Sequence, residues 1–217
     1  MEAASIHPRP AQDMSPPTTS VQERPVASSW TPANPAGLGL AAFAMTTFVL
    51  SMFNSNLVDE KGVPVVLGLA LIYGGVVQIL AGMWEFRTGN TFGAVAFTSY
   101  GAFWISFWAL QVFYAKSIGG NVGHSVGVYL WAWAIFTAYM TVAALRVNGA
   151  VLVVFVLLTA TFILLAIGAV GAHTTVTHWG GYLGLATAAA AWYASFAIVV
   201  NSTFNRTILP VVPLSGQ

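Results

Sequence analysis

VVLGLALIYGGVVQILAGMWEFR, residues 65–87, decides the fold. The run carries no charge before Glu85, and at 1.5 Å per residue it is long enough to cross a hydrocarbon core about 30 Å thick. Within it Gly75, Gln78, Gly82 and Glu85 recur at helical spacing and share one face. An amide or carboxylate turned toward lipid is left without partners, so this face points into a bundle or a water-filled path. Glu85 and Arg87 fall at one end of the run, where an ion pair or snorkelling costs little. Gln78 lies about two turns deeper.

Working outward, the same kind of run recurs. Spans are predicted at 36–57, 63–85, 92–114, 124–146, 149–172 and 179–204, separated by short polar breaks. Connections this short make sequential helices antiparallel neighbours. The whole chain agrees with this reading. Of 217 residues 57% are apolar and only 6% charged, where a soluble domain carries roughly 25%. The apolar content excludes a disordered chain, and the net charge of +1 argues against a nucleic-acid partner. The absence of cysteine excludes a disulfide scaffold and any thiol chemistry. The expected fold is an all-α integral membrane protein, six transmembrane helices in a bundle within the lipid bilayer.

Residues 1–33 differ from the rest. They hold six of the ten prolines and show no apolar periodicity, so a disordered cytoplasmic tail is expected there. The transmembrane domain is placed at 34–210 and a C-terminal tail at 211–217. With the N-terminus inside, Arg9, Arg24, Arg87, Arg146 and Arg206 share the cytoplasmic side, and only Lys61 and Lys116 fall outside. That bias predicts an N-in, C-in topology.

The odd-numbered spans share an entrance signal. Asn34, Asn90 and Asn148 precede spans 1, 3 and 5, each with a glycine within three residues. Asparagine is a good N-cap, and Pro35 suits a first helical position. The pattern reads either as ordinary capping or as several positive helix ends converging on an anion-accepting mouth. Small residues such as Gly74, Gly75, Gly180 and Gly184 favour a tight bundle and an oligomer.

No enzyme motif is present: the chain lacks a phosphate loop, a nucleophile elbow and a His-Glu-x-x-His helix. His173 and His178, placed in a loop beside span 6, make a poor metal pair without a carboxylate, so no metal and no cofactor are expected. What remains is passage of a solute, signalling or scaffolding. The scarcity of intramembrane charge favours a small, weakly polar or singly charged solute. Thr46, Thr47, Ser51, Asn54, Gln78, Ser99, Tyr100 and the amides near Asn34 are candidates to line its path, with Glu85 at its end.

Several strings go beyond composition. Asn34-Pro35-Ala36-Gly37-Leu38-Gly39-Leu40 resembles the NPAPLGL signature of the acetate uptake transporter family, the succinate–acetate permeases. Met45-Thr46-Thr47 follows that family's pattern, as do Tyr73-Gly74-Gly75, Gln78, Ala81-Gly82, Glu85, Gly89-Asn90-Thr91-Phe92-Gly93 and Phe97-Thr98-Ser99-Tyr100-Gly101. The similarity extends through Leu165-Ala166-Ile167-Gly168 to Leu209-Pro210. The resemblance implies six helices per protomer, a homohexameric ring, and a separate path for acetate, and for related carboxylates such as succinate, through each protomer; the compact tail and short loops fit a bacterial plasma (cell inner) membrane. It also implies a constriction at Phe43, Tyr100 and Leu158, from the same odd-numbered helices that begin with asparagine.

Two kinds of departure bear on mechanism. The signature's second proline is Gly37, which is expected to loosen the turn entering span 1. Phe53 stands where family members can carry a histidine, and Ile198 and Ser202 replace acidic positions late in span 6. Passive passage and proton coupling therefore both stay open. So do a channel for another small solute such as ammonium, and a membrane sensor or scaffold that moves nothing.

Overall fold

In the computed structural model, residues 30–214 are described. The tail expected over 1–33 lies, as far as residue 29, outside them, as do residues 215–217. The helical unit runs from Pro32 onward.

Among the described residues six helices are long and apolar enough to cross a membrane: α1 (Ala36–Asn54), α2 (Glu60–Thr88), α3 (Thr91–Ser117), α4 (Val122–Ala144), α5 (Gly149–Gly171) and α6 (Thr174–Thr203). All six expected spans are present, with ends shifted by a few residues. The largest shift is in α6, which begins at Thr174 rather than at 179, so His178 sits in its first turns and not in a loop. Polar Thr174, Thr175 and Thr177 interrupt the apolar run without interrupting the helix. The outward faces are apolar, as hydrocarbon surroundings require: Val128 is 71% exposed and Val65 69%.

The helices close into a ring in chain order. α1 packs on α2 and α6, α2 on α3, α4 on α5 and α5 on α6. Backbones approach closely where glycine removes a side chain: a Cβ on Gly101 would lie 2.9 Å from the Gly75 carbonyl oxygen, so α3 and α2 touch there. α3 and α4 form the least close pair, and side chains bridge their seam. The Tyr100 hydroxyl donates to Thr137 Oγ1 at 2.9 Å, and Ser106 Oγ lies 2.8 Å from the Tyr129 hydroxyl.

α2 is not uniform. Residues Ile72–Val77 widen into a π turn between two α-helical parts, Pro64–Leu71 and Gln78–Thr88. Val66 and Ala70 are buried before it, and Gln78, Ala81, Gly82 and Glu85 after it. The polar face read from the sequence thus points inward. α2 ends on Gly89, whose φ of 79° is left-handed, and Asn90 starts α3 at once.

Candidate functional site

The three asparagines meet on one cavity. Asn90 Oδ1 accepts from the Gly93 amide at 3.1 Å, and Asn148 Oδ1 accepts from the Val151 amide at 2.9 Å. Asn34 Oδ1 accepts from the Ala36 amide at 2.9 Å. Here Pro35 occupies the capping position instead of the first helical turn, so α1 starts one residue later than its sequence signal. All three asparagines border a cavity of about 310 Å³ that runs among α1, α2, α3, α5 and α6. Among the described residues its wall contains no Lys, Arg, His, Asp or Glu.

The cavity leads inward to Phe43, Tyr100 and Leu158, which all border it. Each stands nine or ten residues beyond its helix's asparagine, about 14–15 Å along the axis and so near half the depth of a hydrocarbon core. The three therefore form one layer. The Phe43 and Tyr100 rings lie 5.7 Å apart, and Tyr100 is 6.0 Å from Phe155. All three are buried. One turn further, Phe103 packs against Phe162 at 5.4 Å and Trp133 at 5.2 Å.

Gln78 borders the same cavity and is fully buried, with no hydrogen-bond partner on either amide atom. A buried amide without partners is costly, which marks it as a group waiting for one. Glu85 is 1% exposed. Its Oε2 accepts from Asn90 Nδ2 at 2.8 Å and from Thr88 Oγ1 at 3.3 Å, while Oε1 has no partner. The partners are thus Asn90 and Thr88, not Arg87, which is exposed. Glu85 borders a second, smaller pocket with Pro32, Asn34, Pro35, Thr88 and Asn90.

Of the sequence-derived path residues, Asn34, Phe43, Gln78, Tyr100 and Leu158 come together on the main cavity. Thr46, Thr47, Ser51, Asn54, Ser99 and Glu85 lie outside its wall. Thr46 Oγ1 donates to the Ala42 carbonyl at 2.9 Å and packs against Gly74. The Tyr100 hydroxyl spends its proton on Thr137, so its ring, rather than its donor, faces the cavity. Gly37 does not loosen the start of α1: Leu38 and Gly39 amides bond the Pro35 carbonyl at 3.1 Å, and Ser195 Oγ bonds the Gly37 carbonyl at 2.7 Å. Ile198 borders the cavity, and Ser202 is exposed.

Sequence reasoning missed the C-terminal strap. Residues 211–214 return to α5: the Gly149 amide donates to the Val212 carbonyl at 2.8 Å and the Ala150 amide to the Val211 carbonyl at 3.2 Å. Asn201 holds the strap's base, its Oδ1 accepting from Ile208 and Leu209 amides at 2.7 and 3.0 Å. Val211 reaches the cavity wall. The sequence reading placed a C-terminal tail at 211–217, and nothing in its residues indicated where it docks.

Comparison with known proteins follows the same lines. A family model described as the GPR1/FUN34/yaaH family matches residues 18–216. The chain is 42% identical over 188 residues to "Accumulation of dyads protein 2" of Saccharomyces cerevisiae, covering 84% of this chain and 66% of that one, so it spans about two thirds of that relative. It is 39% identical over 180 residues to "Succinate-acetate/proton symporter SatP" of Escherichia coli K12, covering 82% of this chain and 95% of that one. A solved structure described as the bacterial acetate channel SatP matches with a TM-score of 0.78 at 39% identity, covering 83% of this chain and 99% of that one.

Proposed function

The chain belongs to the GPR1/FUN34/yaaH family, and from that premise we propose that this multi-pass membrane protein passes acetate and related small carboxylates through a path inside each protomer. One observation carries the reading. Three asparagine-marked helix starts border one cavity whose wall, among the described residues, is uncharged and includes Phe43, Tyr100 and Leu158.

A small carboxylate crosses bare hydrocarbon poorly, since even a side-chain charge at mid-bilayer costs at least ~2.5–3.5 kcal/mol. At the mouth, amide groups and positive helix ends replace part of its water. At the waist, apolar side chains contact the methyl end and exclude bulk, while Gln78 offers a polar contact. A wall without a fixed cation binds weakly, which suits throughput rather than retention. Six such chains in a homohexamer, N- and C-termini inside, in a plasma membrane, complete the proposal. Its support is the outward apolar faces, the basic-residue bias and the likeness to the SatP proteins.

The test is labelled acetate uptake into proteoliposomes, net of protein-free liposomes, competed by propionate, succinate and ammonium. Competition by the acids alone is the expected result; no uptake, or block by ammonium, overturns it. In Phe43→Ala, larger carboxylates should enter faster, and in Tyr100→Phe the rate should change because Thr137 Oγ1, which still donates to the Trp133 carbonyl, loses the hydroxyl that donates to it. Unchanged rate and selectivity in both variants would remove the waist from the mechanism.

A further inference from the structure

The C-terminal strap is held through its main chain. Besides the Val211 and Val212 carbonyls at the α5 start, the Pro210 carbonyl accepts from the Tyr193 hydroxyl at 2.7 Å and the Leu209 carbonyl from Asn201 Nδ2 at 2.8 Å. The side chains at 211 and 212 take no part in these bonds. Val212 is exposed, while Val211 is half-buried and reaches the main cavity. Behind the strap lies another pocket of about 310 Å³, between α5, α6 and residues 210–212, with Val153, Ala190 and Tyr193 on its wall. Among the described residues Val211 alone borders both this pocket and the main cavity. On the main-cavity side it shares the wall with Asn148, Val151 and Ile198. The side chains around the rear pocket are apolar except at Tyr193, whose hydroxyl is spent on the strap. The α5 amides at its edge, Gly149 and Ala150, are spent on the strap as well. Such a space suits an alkyl chain and not a carboxylate.

We propose that Val211 is a specificity-determining residue: its side chain partitions the mouth from the pocket behind the strap, and so limits the alkyl length of the carboxylate that the mouth admits. The inference rests on the carboxylate reading above and adds which acids the path refuses. With the valine methyls in place, an acid whose carboxylate lies near Asn148 has room for a short chain only. Without them the two spaces join, and a longer chain can extend behind the strap while its carboxylate keeps its place. The gain is apolar burial, which rises with every methylene that leaves water. Because main-chain bonds hold the strap, a change of side chain at 211 alters the partition and leaves the strap docked.

The experiment measures how propionate, butyrate and valerate inhibit labelled acetate uptake by the full chain in liposomes, net of protein-free liposomes. It is run at about pH 7.5 on both sides, where the acids are almost wholly ionised. In Val211→Ala, the half-inhibiting concentration of butyrate should fall about tenfold, the scale on which an apolar pocket discriminates a methylene. The half-saturating concentration of acetate should stay within about twofold of native. In Val211→Leu, which thickens the partition, butyrate should inhibit less well than in the native protein. Val212→Ala alters the rear pocket alone and should keep the native order of acids. Unchanged butyrate inhibition in a Val211→Ala protein that takes up acetate overturns the proposal. So does an equal shift in Val212→Ala, which would mean that a loosened strap, and not the partition, admits the longer chain. If Val211→Ala takes up no acetate, Val211→Leu decides, and native butyrate inhibition there overturns the proposal. Absence of acetate uptake by the native protein is a different failure: it removes the carboxylate path, and the partition with it.

Discussion

The starts of α3 and α5 look alike in sequence and differ in the folded chain. Each is an asparagine whose Oδ1 caps the amide three residues on. At α5, the next two amides are already taken by the strap carbonyls of Val211 and Val212, and the third position is Val151. At α3, the third position is Gly93, and the space a side chain would fill holds Glu85 and Asn90 instead: a Cβ there would lie 2.7 Å from Glu85 Cδ and from Asn90 Nδ2. One helix end is covered by the chain's own strap, and the other is packed against an ionisable group. The same capping motif can thus either finish a fold or build a site, and what decides is the residue three places on and what returns to cover it.

Substitutions can break or sharpen this contrast. The largest effect is expected from Gly93→Ala, which forces Glu85 and Asn90 apart; overpacking of about 1–3 kcal/mol should lower acetate uptake about tenfold or more. A conservative exchange at the matching place, Val151→Ala, should leave most uptake intact, and equal losses in the two would erase the distinction. Next, Asn90→Ala should cost about 2 kcal/mol or more in thermal unfolding of purified protein, because it removes a cap and a hydrogen bond to a carboxylate. Asn148→Ala removes a cap only and should cost about 1 kcal/mol. Indistinguishable melting temperatures would mean that the Glu85 bond contributes nothing. The smallest effect concerns the strap. Val212 has a φ of 53°, a left-handed conformation that a β-branched residue rarely adopts. Val212→Gly should therefore raise stability by about 0.5 kcal/mol, the relief of strain exceeding the entropy that glycine costs. A loss of stability would mean that the valine side chain anchors the strap.

Much of this was legible in the sequence because hydrocarbon imposes a simple length rule. All six spans and the inward face of Gln78 and Glu85 follow from apolar run length and spacing alone. The convergence of Asn34, Asn90 and Asn148 was one of two readings, since periodicity places residues on a helix but not helices around a cavity. Phe43, Tyr100 and Leu158 came from family resemblance, and their common depth became visible only once the helix starts were level. Thr46 lies outside the cavity wall for a plain reason. A hydroxyl in a helix can satisfy itself on the carbonyl four residues back, as Thr46 does, so a polar residue in a span need not face a path. The strap was out of reach because it docks through backbone carbonyls, which every residue carries.

The π turn in α2 sets the register of everything after it. One additional residue in a helical turn rotates the downstream part by about 100° relative to an uninterrupted helix. Counted at 3.6 residues from buried Val66, an uninterrupted helix would bring positions 80 and 84 inward, yet the buried side chains stand one place later, at Ala81 and Glu85. The widened turn thus acts as a phase shifter. Excising a single residue between Ile72 and Val77 would leave the composition, the length class and the hydropathy of the span almost untouched, and would dial an amide and a carboxylate out of the interior and into oil.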